Sequence, residues 1–225
     1  MTVTSSSVRT FRWAVFLITL GYFIYRFFDT DPDQFGAQFR LLTVWGLTAS
    51  TLSAWFMLQY SMGWSTRQYQ IFASVTVVLN ATVVLMYWKI YFQDPSLFYG
   101  ADGQPRAWHQ EYFLHAVGPA LQIFDAFFIL GAFRVFRGLI GYVLAVPVAY
   151  ILWIELLVRP MNDTPVGSVT TGLPYLFMND MDISERAAFY GTTVATMIIL
   201  FLISWTIAWA LRKAVRRPSD APQSL

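Results

Sequence analysis

Cysteine is absent from this sequence of 225 residues, and histidine occurs only twice. Without cysteine the chain can form no disulfide, no thiolate metal site and no cysteine nucleophile. So few histidines, with no cysteine beside them, also argue against a zinc site.

Charge is the second shortage. Only 12% of the residues are charged, which is about half the share typical of a soluble domain. Hydrophobic residues make up 56% and aromatic residues 18% of the chain, a composition that excludes disorder. Too few charges remain to cover a water-exposed surface. A formal net charge of +2 gives no indication of nucleic-acid binding. The composition indicates an integral membrane protein.

The apolar residues are grouped into six long segments. A helix needs about 20 mostly apolar residues to cross a bilayer, and each segment approaches or exceeds that length. The predicted helices span residues 12–28, 41–60, 70–92, 112–133, 139–158 and 187–211. The sequence therefore predicts an all-α fold, a six-helix transmembrane bundle that forms one domain over residues 1–225.

The basic residues predict the orientation of this bundle. Nine of the fifteen Lys and Arg residues fall at one end of the predicted helices, among them Arg9, Arg12 and those of a basic tail over residues 212–225. Cytoplasmic flanks of membrane helices are enriched in Lys and Arg. Both termini are therefore predicted to be cytoplasmic, with the longer loops outside.

Three polar side chains are predicted to share one depth in the membrane. Thr43, His115 and Glu155 are each the third or fourth residue from the outer end of a predicted helix, roughly 5 Å below the boundary. Polar groups at such positions are costly and so become functional candidates. A hydroxyl, an imidazole and a carboxylate at one level would suit a nucleophile, a base and an orienting group. The predicted boundaries place His115 in the first turn of its helix.

The same helices also allow a purely structural interpretation. Gln122 and Asp125 lie on the helical face of His115, and we interpret Asp125 as an interior hydrogen-bonding group too deep to contact the imidazole. The face of Thr43 continues in small or hydroxyl residues, namely Gly46, Ser50 and Ser53. Such residues commonly let membrane helices pack closely. A structural hydrogen bond between Thr43 and His115 therefore remains open at this level.

Five stretches of the chain resemble, in order and with matching spacing, the androgen-induced-gene family of multi-pass membrane hydrolases. They are FGAQFRLLTVW (35–45), MYWKIYFQDP (86–95), HAVGPALQIFD (115–125), AYILWIELLV (149–158) and PYLFMND (174–180). The second is similar to the Trp-x-Ile-Tyr end of the family's third helix, and the third to its His-x-x-x-Pro stretch. No single motif is specific, and the ordered set over roughly residues 12–211 carries the resemblance.

The resemblance implies an activity and a pair of residues. Members of that family are threonine hydrolases that cleave fatty acid esters of hydroxy fatty acids with one threonine and one histidine. By motif position these are Thr43 and His115, and we assign supporting roles to Glu155, Asp125 and Gln122. The implied partners are a lipid ester substrate and the bilayer, and the reaction needs no metal or cofactor. The chain departs from the family in the order Pro-Tyr-Leu-Phe and in Asp125, where the animal members carry Glu.

Two other functions are open on the sequence. The protein could be a non-enzymatic membrane protein, either a lipid-binding sensor or an accessory subunit of a larger complex. It could also be an acyltransferase that passes the acyl group from Thr43 to another lipid. The chain looks like a bacterial-type relative, which would place it in the cell inner membrane; the sequence makes no prediction of its oligomeric state.

Overall fold

The computed structural model describes residues 3–29, 34–98, 106–162 and 172–215. Six long helical segments follow one another in this part of the chain. They are α1 (Ser6–Phe28), α2 (Leu42–Met62), α3 (Gln70–Tyr91), α4 (Trp108–Leu130), α5 (Leu139–Met161) and α6 (Ile183–Val215). Short helical turns at Ala37–Arg40, Pro95–Phe98 and Leu176–Asn179 lie in the connections.

Five of these helices, all except α2, are long and apolar enough to cross a membrane. The all-α class is therefore confirmed over the described residues, and the five apolar helices support the prediction of an integral membrane protein. The 21 residues of α2 suffice in length, but this helix does not reach the apolar composition of the others. The sixth membrane crossing, by α2, stays a prediction.

The polar face of α2 is buried against two neighbouring helices. Asn80 of α3 donates a hydrogen bond to Ser50 at 2.7 Å, and Gln122 of α4 donates one to Ser53 at 3.0 Å. A Cβ added at Gly46 would lie 3.1 Å from the Asn80 side-chain oxygen, so only glycine allows this approach without a shift of the neighbour. The small and hydroxyl residues of α2 thus act in helix packing.

The first helix begins earlier than its apolar run suggests, and this changes the role of Arg12. Helix α1 starts at Ser6, because the Ser5 side chain caps it by accepting from the N–H of Val8. Arg12 therefore lies inside the helix with none of its surface exposed. Counted from the sequence among the charges at one end of the bundle, Arg12 is a buried residue of α1.

Arg12 instead forms a buried ion pair with Asp125. Its Nε and Nη2 donate to the two carboxylate oxygens at 2.8 and 2.6 Å, a bidentate geometry. Its Nη1 donates to the Met57 carbonyl at 2.8 Å and to the Ser61 hydroxyl at 2.6 Å. Buried charges are stable only when paired and hydrogen-bonded in this way. The pair ties α1 to both α2 and α4.

Two contacts show which helix ends lie together. The guanidinium of Arg9, near the start of α1, donates to the Ser61 carbonyl at the end of α2. That of Arg212, in the last turns of α6, donates to the Ala132 carbonyl just after α4. Since Arg12, near the start of α1, also pairs with Asp125, near the end of α4, these contacts together place the start of α1 and the end of α6 at one end of the bundle. The cytoplasmic location of that end stays a prediction, and residues 216–225 of the basic tail lie outside the described part of the chain.

Candidate active site

Thr43 is held at the start of α2 by the turn that precedes the helix. Gly36 adopts the left-handed region (φ 83°), and a Cβ there would lie 3.1 Å from the Trp153 ring, so the turn requires glycine. The carbonyl of Phe39 accepts from the indole N–H groups of Trp45 and Trp153, at 2.9 and 3.0 Å. These two bonds fix the turn to α2 and α5, and so fix the helical position of Thr43.

His115 lies in a distorted part of α4. The segment Phe113–Val117 is a π-helical turn, a local distortion that is frequent at functional sites. In an α-helical register the carbonyl of His115 would accept from residue 119, which is a proline without an N–H. The indole of Trp88 donates to that carbonyl at 2.9 Å and satisfies it. The His-x-x-x-Pro and Trp-x-Ile-Tyr motifs are therefore linked by this bond, in which the tryptophan of one motif donates to the histidine carbonyl of the other.

The ring of His115 is fixed on three sides. Tyr87 stacks on it with a centroid distance of 3.6 Å and an interplanar angle of 6°. Nδ1 lies 3.0 Å from the backbone carbonyl of Glu111, and Nε2 lies 3.2 Å from the hydroxyl of Thr43. A carbonyl can only accept, so in the neutral ring Nδ1 carries the proton and Nε2 is left to accept from Thr43. The contact has the orientation that a nucleophile and its base require.

Glu111 is a candidate site residue that the sequence patterns did not reveal. One oxygen of its carboxylate lies 3.4 Å from Nδ1 of His115, and its side chain is 17% exposed. The sequence assigns Glu111 to an outer loop because the apolar run starts later, whereas α4 begins at Trp108. His115 therefore lies about two turns inside the helix, roughly 10 Å from its start, and not in the first turn. The i, i+4 spacing of Glu111 and His115 is the signal that could have identified this pair.

Glu155, proposed from its depth as the orienting carboxylate, does not contact His115. Its oxygens accept from Arg159 at 3.0 Å, Arg186 at 3.1 Å and the Tyr190 hydroxyl at 2.7 Å. Equal depth on two helices did not imply proximity. The Glu155 carboxylate faces Arg159, one turn later in α5, and two residues of α6.

The two remaining supporting candidates are also engaged elsewhere. Asp125 forms the ion pair with Arg12, and Gln122 donates a hydrogen bond to the Ser53 hydroxyl. Of the five residues singled out from the sequence, the structure brings only Thr43 and His115 into contact. Among the residues described, no three His, Asp or Glu side chains converge so that they could hold a metal ion.

An apolar cavity of about 80 Å³ begins at Thr43. Helices α3, α5 and α6 contribute most of its wall. Its apolar lining includes Val83, Met86, Ile90, Ile151, Ile154 and Phe189. Thr43 thus contacts the imidazole and also borders a space suited to a hydrocarbon chain.

The turn before α2 also holds a buried amide. Gln38 is 1% exposed, and within the described part of the chain neither polar atom of its side chain has a hydrogen-bond partner. Buried polar atoms are almost always paired, so this amide is an exception among the residues described. Gln38 lies five residues before Thr43, and no sequence pattern singled it out.

Fold and site define a class: an all-helical membrane protein with a buried Thr–His pair beside an apolar cavity. The model of the family described as FAR-17a/AIG1-like protein matches residues 8–208. The chain therefore belongs to the FAR-17a/AIG1-like family, and the resemblance to the androgen-induced-gene family is confirmed. No curated protein and no solved structure matches the chain. Membership is consistent with a membrane hydrolase.

Proposed function

We propose that the protein is an intramembrane lipid-ester hydrolase in which Thr43 is the nucleophile and His115 the general base. The observation that carries the proposal is the 3.2 Å contact between the Thr43 hydroxyl and Nε2, in a ring whose Nδ1 faces a carbonyl. This geometry orients the hydroxyl proton toward an acceptor before any substrate arrives. A structural hydrogen bond alone would not require a cavity at the same hydroxyl.

The reaction follows from these contacts. As the Thr43 oxygen bonds to the ester carbon, its proton passes to Nε2, and the C=O electron pair moves onto oxygen. When the intermediate collapses, the ester C–O bond breaks and Nε2 returns the proton to the leaving alkoxide, which departs as an alcohol. Water then attacks the acyl-threonine with the same base, releasing the fatty acid and restoring Thr43.

Glu111 supplies the third group in this proposal. Its carboxylate lies on the Nδ1 side of the ring, away from Thr43, at 3.4 Å. Each transfer makes His115 positively charged for the lifetime of the intermediate, and a nearby carboxylate stabilises that state. The backbone carbonyl of the same residue fixes the ring orientation, so Glu111 acts through both its backbone and its side chain.

The cavity supports a lipid as substrate. Its wall is almost entirely apolar, so an acyl or alkyl chain gains free energy from leaving water at about 25 cal/mol per Å² of apolar surface. Esters of a fatty acid with a hydroxy fatty acid, the substrates that the family resemblance implies, place an ester between two such chains. We therefore expect long-chain esters to be cleaved and short, water-soluble esters to be poor substrates.

Covalent labelling tests the proposal. Purified protein in detergent is treated with a fluorophosphonate probe, and the labelled peptide is mapped by mass spectrometry. We expect the label on Thr43, and its loss in Thr43→Ala and His115→Ala. Thr48→Ala is the matched control, because the Thr48 hydroxyl donates to the Val44 carbonyl of its own helix, 2.7 Å away, and should label normally.

An ester assay then separates the alternative functions. Hydrolysis of a long-chain ester of a hydroxy fatty acid is followed with and without a long-chain alcohol as acceptor. Transfer to the alcohol in preference to water would favour the acyltransferase. A wild-type protein that neither labels at Thr43 nor cleaves any long-chain ester would overturn the proposal in favour of a non-enzymatic lipid-binding role.

A further inference from the structure

The hydroxyl of Tyr175 reaches the start of α2, next to the candidate nucleophile. It accepts a hydrogen bond of 3.1 Å from the N–H of Leu42, the residue before Thr43. The Tyr175 ring also lines the cavity that begins at Thr43. A hydroxyl that accepts from an amide still has its own proton to donate. That proton lies at the boundary between the helix start and the cavity.

The backbone N–H of Thr43 lies at the same helix start. Thr43 is the second residue of α2, where amide groups have no acceptor within the helix. Among the residues described, no backbone carbonyl outside the helix accepts from this N–H. Amides of the first turn all point beyond the start of the helix. A hydroxyl bonded to the Leu42 N–H therefore lies in the space that the Thr43 N–H faces.

We propose that the Tyr175 hydroxyl and the Thr43 N–H together bind the oxyanion that forms when Thr43 attacks an ester, an inference that rests on the proposed function. In the attack, the new Oγ1–C bond pushes the C=O electron pair onto oxygen. The two donors stabilise that charge and release it when the C=O bond forms again.

The surroundings keep the Tyr175 hydroxyl in its role. The Leu42 amide holds its oxygen at 3.1 Å. The neighbouring Tyr150 hydroxyl gives its own proton to the Arg40 carbonyl at 2.7 Å, so in a contact between the two phenols Tyr175 is the donor. The Tyr175 proton turns from that contact to the oxyanion when the charge forms. Burial raises the pKa of the Tyr175 phenol above its usual value. The phenol is therefore protonated at physiological pH and remains a donor. Tyr175, the tyrosine of the Pro-Tyr-Leu-Phe loop, thus has a chemical role.

Substitution of Tyr175→Phe tests the inference, because it removes the hydroxyl and keeps the ring. We expect kcat to fall by about 10²-fold or more, as when one oxyanion donor is removed elsewhere, with little change in KM. A long-chain trifluoromethyl ketone, which forms a tetrahedral adduct with the nucleophile, should lose affinity by a similar factor. A long-chain ether, which forms no adduct, should bind as before. Tyr60→Phe is the matched control, since its hydroxyl accepts from Gln68 outside the cavity.

A second background separates catalysis from helix capping. Leu42→Pro removes the N–H that Tyr175 accepts, at the first helical position, where proline is tolerated. If Tyr175 only caps α2, Tyr175→Phe should have no effect on kcat in that background, and this result would overturn the inference. If Tyr175 binds the oxyanion, the loss of kcat should persist there.

Two further outcomes are distinguishable. Unchanged kcat and unchanged ketone affinity in Tyr175→Phe, with wild-type labelling at Thr43, would refute the role of Tyr175 and leave the proposed function intact. Absence of any adduct at Thr43 in the wild type would refute the proposed function, and the oxyanion role with it.

Discussion

Replacing Glu111 by glutamine isolates the effect of its carboxylate. Glu111→Gln keeps the backbone carbonyl that faces Nδ1 of His115 and keeps the size of the side chain. What it removes is a negative charge 3.4 Å from the nitrogen that becomes part of an imidazolium during turnover. The substitution therefore changes the energy of the charged intermediate more than that of the resting enzyme.

Coulomb's law gives the size of the effect. At 3.4 Å and an effective dielectric constant of about 20, one ion pair contributes about 5 kcal/mol. Glu111 is 17% exposed, and water reduces this value. With about half of it retained, the barrier rises by about 2–3 kcal/mol, which is a fall in kcat of roughly 30- to 160-fold.

The assay is ester turnover per labelled site. Fluorophosphonate titration counts competent molecules, so that a loss of folded protein is not read as a loss of kcat. Glu155→Gln is the matched control: it removes the same charge from a carboxylate whose contacts are Arg159, Arg186 and Tyr190. We expect it to lower the Tm and to leave kcat per labelled site near the wild-type value. A Glu111→Gln enzyme within about twofold of wild type would refute the role of the carboxylate.

Three further predictions concern stability and topology. Arg12→Met leaves Asp125 as an unpaired buried charge, so we expect the free energy of unfolding to fall by about 3–5 kcal/mol, measured as a lower Tm in detergent. Adding Asp125→Leu should restore part of this stability. Equal losses of stability in the single and double variants would contradict this. Trp88→Phe leaves the buried carbonyl of His115 without its donor, at a cost of about 1–3 kcal/mol. Its kcat should fall with its Tm, and a normal kcat would mean that the indole does not position the ring. A reporter fused after Leu225 should behave as cytoplasmic, and an external reporter would reverse the orientation read from the basic residues.

Composition and hydropathy predict the membrane helices well, because the bilayer imposes length and apolarity on each segment. Their boundaries are predicted less well where polar side chains belong to the helix. The start of α4 is the clearest case: Trp108 to Glu111 reads as a loop on polarity, yet it is helical and carries the carboxylate beside His115. Arg12 is the converse case, since its charge suggests a flank although Asp125 compensates it inside the bundle.

Contacts between helices are the part that a single sequence does not contain. Periodicity gives the face of a residue on its own helix, and counting gives its depth, but neither says which helices are neighbours. Thr43, His115 and Glu155 share one predicted depth, and only the first two meet. The motif resemblance identified that pair because the spacing of a family carries information about tertiary structure that hydropathy lacks.

The position of Thr43 bears on where a catalytic pair of the proposed kind can lie in the bundle. An ester hydrolase in a membrane has to bring together water, a polar base and two hydrocarbon chains. The Thr43 hydroxyl, at the start of α2, contacts the base His115 and borders the apolar cavity. About two and three turns deeper, the α2 hydroxyls face α3 and α4 and are used in packing, as Ser50 and Ser53 are. These hydroxyls already have side-chain partners in the packing between helices, whereas the Thr43 hydroxyl contacts an imidazole, so the proposed nucleophile is expected at the helix start and not deeper in α2.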